Sequence, residues 1–190
     1  MKRLPLALAA PLPLLALPLL ALPLLALPLL ALPLLTLPAA AQEAATPAPG
    51  PYDPSSDAAA ALDGALAGAR ERSATGQEQR VLAIFGANWC HDSRDLVTML
   101  ARPRVAELVA RHYQVVLIDA GTPQTGQGRN LELAARHGVS GITGTPTVLV
   151  LDPQGRLLNT PEDARAWRNA STRSEREVRR FLREMAKPGQ

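Results

Sequence analysis

Cysteine is almost missing: Cys90 is the only one in 190 residues. A single thiol excludes an internal disulfide and every zinc pattern built on several cysteines. Aromatic residues are also scarce, with two each of Phe, Trp and Tyr. No basic block is interleaved with aromatics, so the footprint of a nucleic-acid binder is absent. Charge is close to balance. The formal net charge is +3, but Lys2 and Arg3 stand apart in an otherwise uncharged stretch. Setting them aside leaves 18 basic against 17 acidic side chains, a net of +1.

That N-terminal stretch runs apolar from Leu4 to Ala41, interrupted only by prolines and Thr36. It repeats "LPLLA" from Leu12, Leu17, Leu22 and Leu27, then "LPLLT". A five-residue period matches neither the 3.6 of a helix nor the 2 of a strand, so it builds no amphipathic face. A basic start, a long apolar run and "AAAQ" around Ala41 read as an export signal over residues 1–41. The run exceeds the ~20 apolar residues that span a bilayer, so a retained N-terminal membrane anchor is the alternative. Both place the rest of the chain outside the cytoplasm, in the periplasm, secreted, or held at the inner membrane. Residues 42–56, rich in Ala, Pro, Gly and Ser, read as a flexible tether.

From residue 57 the pattern is that of one compact domain, residues 57–190. "DAAAALDGALAGARER" is helical, with Asp57 as N-cap. "RVLAIFGA" (80–87) and "QVVLIDA" (114–120) are short apolar runs suited to buried strands. A helix between them starts at or beside Cys90, with Leu96, Val97, Met99 and Leu100 inward, and Pro103 breaks it. "VAELVARHY" is another short helix. Asn130 is placed to cap "LELAARHG", and Gly138 to end it. "PTVLVLDPQGRLL" reads as a hairpin: a strand over 146–151, a turn over 152–155, and a second strand from Arg156. Thr160 and Pro161 open a further helix. Ser174 and Glu177 form a capping box before an apolar stripe of Val178, Phe181, Leu182 and Met185. Two buried strands flanking a helical crossover imply parallel pairing, hence an α/β fold.

The chemistry is concentrated in "FGANWCHDSRDL" (85–96). A Cys at a helix start faces unpaired N–H groups and the positive end of the helix dipole. Both favour the thiolate, the reactive form. Protonated His91 adds to this effect and Asp92 opposes it. The competing structural role is a buried, inert thiol, since free Cys is among the most buried residue types. Cys90, His91 and Asp92 are adjacent in sequence and do not converge readily on one ion, so no metal site is expected. His112 and His137, near helix ends, read as structural or solvated. Trp167 and Arg168 read as packing residues on a helical segment.

Three features taken together resemble the thioredoxin-like superfamily: "FGANWCHDS" after a strand and opening a helix, "VVLIDA" as the next strand, and "GVSGITGTPTVLVLDPQGRLL" near the end. Within it, the sequence is most similar to extracytoplasmic domains related to the soluble end of membrane thiol:disulfide interchange reductases. The resemblance implies a central mixed sheet flanked by helices, with a cis Pro146 loop beside Cys90. It implies that Thr145 offers its backbone to a substrate peptide and that Trp89 borders the same site. It also exposes two departures. Dithiol members carry Cys-x-x-Cys, whereas here the fourth position is Ser93. Dithiol reductants often bury an acid six residues before the Cys, and that position is Ile84.

A hydroxyl at Ser93 cannot resolve a mixed disulfide, although it has the means to hydrogen-bond the Cys90 sulfur or cap the helix. The expectation is therefore a monothiol exchange protein in which Cys90 reacts and Ser93 assists. It needs no cofactor, and glutathione is a possible external thiol. Its partners are protein disulfides or low-molecular-weight thiols of the cell envelope. The membrane enters only through an uncleaved leader. The alternative is a non-catalytic binding module that keeps the groove beside Pro146. A peroxidase is disfavoured, because no Pro-x-x-x-Thr-x-x-Cys arrangement precedes Cys90.

Overall fold

The computed structural model describes residues 50–187. The leader expected over 1–41 and residues 42–49 of the expected tether lie outside the described residues. Helix α1 (Ala58–Ala74) leads to strand β1 (Arg80–Gly86), followed by helices α2 (His91–Leu100) and α3 (Pro103–His112) and strand β2 (Tyr113–Asp119). A small ribbon, β3 (Gly121–Thr122) and β4 (Gln127–Gly128), encloses a 3-10 turn over Pro123–Thr125. Then come α4 (Leu131–Arg136), β5 (Thr147–Leu151), α5 (Pro161–Arg165), a 3-10 segment over Ala166–Thr172, and α6 (Glu175–Met185). Among the described residues, no helix is long and apolar enough to cross a membrane.

The sheet order is β2-β1-β5. β1 pairs parallel with β2 from Arg80↔Tyr113 to Gly86↔Asp119, and antiparallel with β5. The central strand is therefore hydrogen-bonded on both edges, and helices cover both faces. Val81, Ala83 and Phe85 pack with Leu62, Leu66, Leu133 and Leu149 on one side. Leu82 and Ile84 pack with Leu96, Val105, Val148 and Leu182 on the other. Alternate strand residues point to opposite faces, so a strand buried on both faces must be apolar throughout. That is why "VLAIF" is an unbroken run. Each fully buried Leu or Ile contributes about 1.5–3 kcal/mol relative to exposure.

The caps follow local chemistry. Asp57 accepts from the Ala60 N–H at 2.9 Å, Thr160 from Asp163, and Ser174 with Glu177 forms the reciprocal capping box. Pro103 ends one helix by beginning the next, at its first turn. Asn130 departs from its expected capping role: its side-chain amide donates to the Asp119 carbonyl at 2.9 Å and makes no cap bond.

The expected hairpin is half formed. β5 and the turn exist, with the Gly155 N–H bonding Asp152 O at 2.9 Å. Beyond Arg156 only a single bridge, Leu151↔Leu157, pairs back. The Asn159 side chain replaces the missing ladder. It accepts from Val150 N–H at 2.8 Å and donates to Val148 O at 2.9 Å. A side-chain amide carries the same donor and acceptor as a peptide group, so it satisfies the strand edge while the backbone turns away.

The tether expected over 42–56 does not run free through Tyr52. This side chain is fully buried and belongs to the core on the α2 side of the sheet. Asn88 clamps its backbone from both sides, accepting from Tyr52 N–H at 3.0 Å and donating to Tyr52 O at 2.6 Å.

Candidate functional site

β1 delivers the chain at Gly86, and a three-residue turn carries it to Cys90. The turn is closed by Cys90 N–H to Ala87 O at 3.1 Å. Cys90 occupies the N-cap of α2 in extended geometry (φ −82°, ψ 119°) and its side chain makes no cap bond. Cys90 thus stands at the N-terminal end of α2, where negative charge is favoured. The residue is 7% exposed. Its thiol donates to the Thr145 carbonyl oxygen at 3.3 Å. The Thr145–Pro146 peptide bond is cis. Thr147 Oγ1 donates to Gly144 O at 3.3 Å, tying this loop to the start of β5. The Thr145 hydroxyl oxygen is buried and has no hydrogen-bond partner among the described residues.

A groove of about 450 Å³ opens beside the sulfur, lined by Trp89, Cys90, His91, Asp92, Gln124, Gly144, Thr145 and Arg168. Five of the residues singled out in the sequence thus converge, from two segments more than 50 positions apart. Pro146 is buried behind Thr145. Trp89 is 51% exposed, and its indole N–H donates to Gly121 O at 3.0 Å, which fastens it to the β3–β4 ribbon. The same ribbon supplies Gln124.

The acidic and hydroxyl neighbours of Cys90 are engaged elsewhere. Asp92 accepts from Ser171 N–H at 2.8 Å and from its hydroxyl at 2.7 Å. Its other oxygen lies 3.3 Å from His91 Nε2. Asp92 is thereby a tie between α2 and the 3-10 segment. Ser93 is fully buried, and its hydroxyl accepts from Ala87 N–H at 3.3 Å rather than bonding the Cys90 sulfur. Its place in the fold is to hold the turn before the cysteine. Ile84 is fully buried, opposite Leu117 and Val148, so the position six residues before the cysteine is apolar.

Tyr52 lies beneath this turn. Its phenol donates to Ser93 O at 3.4 Å, and its ring crowds Gly86 so closely that a Cβ there would stand 2.3 Å from it. Burial pushes the phenol well above its ordinary range, and the neighbouring Cys90 charge adds to the shift against the Ser93 hydrogen bond. The group therefore stays neutral at physiological pH. Tyr52 and Arg168 are the site neighbours that sequence reasoning missed. For Tyr52 the only available signal was a rare aromatic residue inside a small-residue stretch. Trp167 does pack as expected, edge-to-face on Phe181 at 4.9 Å, whereas Arg168 beside it lines the groove. Among the described residues, no three His, Cys, Asp or Glu side chains are grouped to hold a metal ion.

A thioredoxin-like domain family matches residues 69–162. Among solved structures, a disulphide isomerase from Xylella fastidiosa Temecula1 matches with 31% identity and a TM-score of 0.63, covering 74% of this chain and 99% of that one. A thioredoxin from Thermus thermophilus matches with 24% identity and a TM-score of 0.39, covering 64% of this chain and 84% of that one. The first thioredoxin domain of mouse protein disulfide-isomerase A4 matches with 21% identity and a TM-score of 0.37, covering 63% and 72%. No curated protein sequence matches significantly. The family match spans β1, the cysteine turn and the cis-proline loop, and nearly the whole of the Xylella structure aligns with this chain. It is a member of the thioredoxin-like superfamily.

Proposed function

We propose that this protein is an exported monothiol exchange protein that forms mixed disulfides at Cys90. The observation that carries the reading is the Cys90 sulfur at a helix N-cap, 3.3 Å from the Thr145 carbonyl and open to a groove, with Ser93 in the resolving position. Membership of a family that includes a disulphide isomerase supports the reaction class. The leader-like residues 1–41 support export, to the periplasm or beyond it, or retention at the inner membrane.

In the first step the Cys90 thiolate attacks one sulfur of a substrate disulfide. A bond forms between Cys90 Sγ and that sulfur, the old S–S bond breaks, and the departing sulfur takes the electron pair as a thiolate. The step changes no net oxidation state. A second thiolate, from a low-molecular-weight thiol such as glutathione or from the substrate's own second cysteine, then attacks the mixed disulfide and restores the Cys90 thiolate. When a different thiol of the same substrate attacks, the outcome is isomerisation, whereas return of the departed thiolate reverses the first step. When an external thiolate attacks the substrate's sulfur, the substrate leaves joined to it and the electron pair of the broken bond returns to Cys90. Thr145 and Trp89 border the path of the bound chain, and an arriving donor or water satisfies the orphaned Thr145 hydroxyl. Asp92 ties the helix start to the 3-10 segment through Ser171, with His91 Nε2 3.3 Å from its other oxygen.

A second reading is a binding module in which Cys90 is inert, and the burial of its sulfur against Thr145 O favours it. Acid-quenched cells expressing tagged wild type or Cys90→Ala separate the two. Mixed disulfides present only in wild type are expected. Identical partners bound by both variants, with no covalent adduct, would overturn the exchange reading.

A further inference from the structure

We propose that Arg168 makes this site selective for disulfides that carry a carboxylate close to the reacting sulfur. The inference rests on reading Cys90 as an exchange thiol. Arg168 is exposed and forms no hydrogen bond or ion pair with another described residue. It lines the groove with Cys90 and Thr145, and it also borders a second cavity, of about 350 Å³, that shares Gly144 with the first. Its stem crosses Gly144, with Cβ and Cδ each 3.8 Å from where a Gly144 Cβ would lie. The stem of Arg168 is thus carried over the residue that leads into Thr145.

The surrounding charges are otherwise engaged. Asp92, the only acid in the groove, accepts two bonds from Ser171 and faces His91 with its remaining oxygen. In the second cavity Glu162 pairs with Arg165 at 2.9 Å, and Arg165 also donates to Ser140 O. Arg173 lies over the Trp167 ring at 4.3 Å and is committed there. Trp167, buried between Phe181 and Arg173, fixes the backbone that bears Arg168. What remains is one positive charge on the groove that Cys90 also lines. A planar guanidinium suits a carboxylate partner with two parallel hydrogen bonds. The same charge stabilises a departing thiolate only weakly through water, so its main effect is on partner choice. The carboxylate has two sources: a small thiol that ends in one, or an Asp or Glu flanking a protein disulfide.

The test measures mixed-disulfide formation at Cys90 by intact mass, using purified full-length wild type, Arg168→Gln and Arg168→Glu. The probes are oxidised glutathione, neutral hydroxyethyl disulfide, cationic cystamine, and disulfide-linked peptides flanked by Asp or by Asn. Wild type is expected to favour the anionic probes by about threefold to fivefold, a preference lost in Arg168→Gln and reversed in Arg168→Glu, with thermal stability unchanged. Preference for oxidised glutathione alone assigns the small thiol, and preference for the Asp peptide alone assigns the protein. A neutral probe that reacts normally, with no charge preference in wild type, overturns the Arg168 inference and leaves the exchange reading standing. Failure of every probe to react overturns both.

Discussion

The Tyr52 ring lies where a side chain on Gly86 would have to be: a Cβ added there would stand 2.3 Å from the ring. The residue that ends the central strand and the residue that precedes the first helix are thus fitted to each other directly under the cysteine turn. Replacing Gly86 with Ala is expected to cost about 1–3 kcal/mol by overpacking. In Tyr52→Ala the same change should cost far less. A double-mutant cycle by urea unfolding measures the coupling, and strictly additive effects would contradict the contact.

Tyr52 itself separates a docked segment from a free tether. Tyr52→Ala should destabilise the domain by about 3–5 kcal/mol, as for other large buried aromatics. Tyr52→Phe removes only a 3.4 Å hydrogen bond and should cost about 0.5 kcal/mol. If Tyr52→Ala shifts the unfolding midpoint no more than an ordinary surface substitution, the packing is wrong.

Introducing a second thiol tests the proposed monothiol reading. Ser93→Cys places a sulfur in a fully buried position and weakens the acceptor for Ala87 N–H, a loss of about 1 kcal/mol. It should allow some release of a Cys90-bound partner without external thiol, leaving Cys90 joined to the introduced thiol in an internal disulfide. Release should stay slow, because Ile84 offers no base for the buried thiol. Single-turnover release measured by mass without added glutathione is the readout. Release as fast as with glutathione would show that the acid is not needed.

Acid should loosen the turn that follows β5. Burial alone would raise the Asp152 carboxyl, but hydrogen bonds from Arg156 and Gln154 and the Arg156 charge outweigh it and hold the group below its ordinary value of 3.8. A carboxyl depressed in the folded state adds stability that is fully present above about pH 4 and is lost as pH falls through the lower, folded value. Wild type should therefore lose stability more steeply below pH 4 than Asp152→Asn does. Parallel pH profiles of the two unfolding midpoints would argue against this role.

Removing the sulfur should separate chemistry from folding. Cys90→Ala is expected to abolish covalent adducts with oxidised glutathione while costing about 1 kcal/mol or less of stability, since only one small buried group is lost. A residual adduct in this variant would have no thiol to account for it, because the chain has no other cysteine.

Much of the scaffold is legible in the sequence alone. "VLAIF" read as a buried strand because both faces of β1 are covered. Asp57, Thr160 and Ser174 read as caps because a cap is a bond between neighbours in sequence. Where local reasoning failed, a distant group had supplied the missing bonds. The strand expected from Arg156 is replaced by the Asn159 amide, and Asn130 gives its side chain to Asp119 instead of to its own helix. Neither choice has a periodic signature.

The site divides in the same way. The sequence by itself determined that a lone cysteine opens a helix after a buried strand, that Ser93 and Ile84 stand where a thiol and an acid would complete a dithiol site, and that a Thr-Pro pair precedes another buried strand. The first and last of these depend on residue order and local periodicity, and the second on the resemblance to dithiol members of the superfamily. Only the tertiary structure decided what touches the cysteine. Thr145 reaches it across 55 positions, Ser171 takes up Asp92 across 79, and Tyr52 reaches Ser93 across 41. Such contacts depend on how helices settle on the sheet and where connecting segments are pinned. Arg168 faces the groove because Trp167 beside it is buried, and that choice of inward side chain is made by packing.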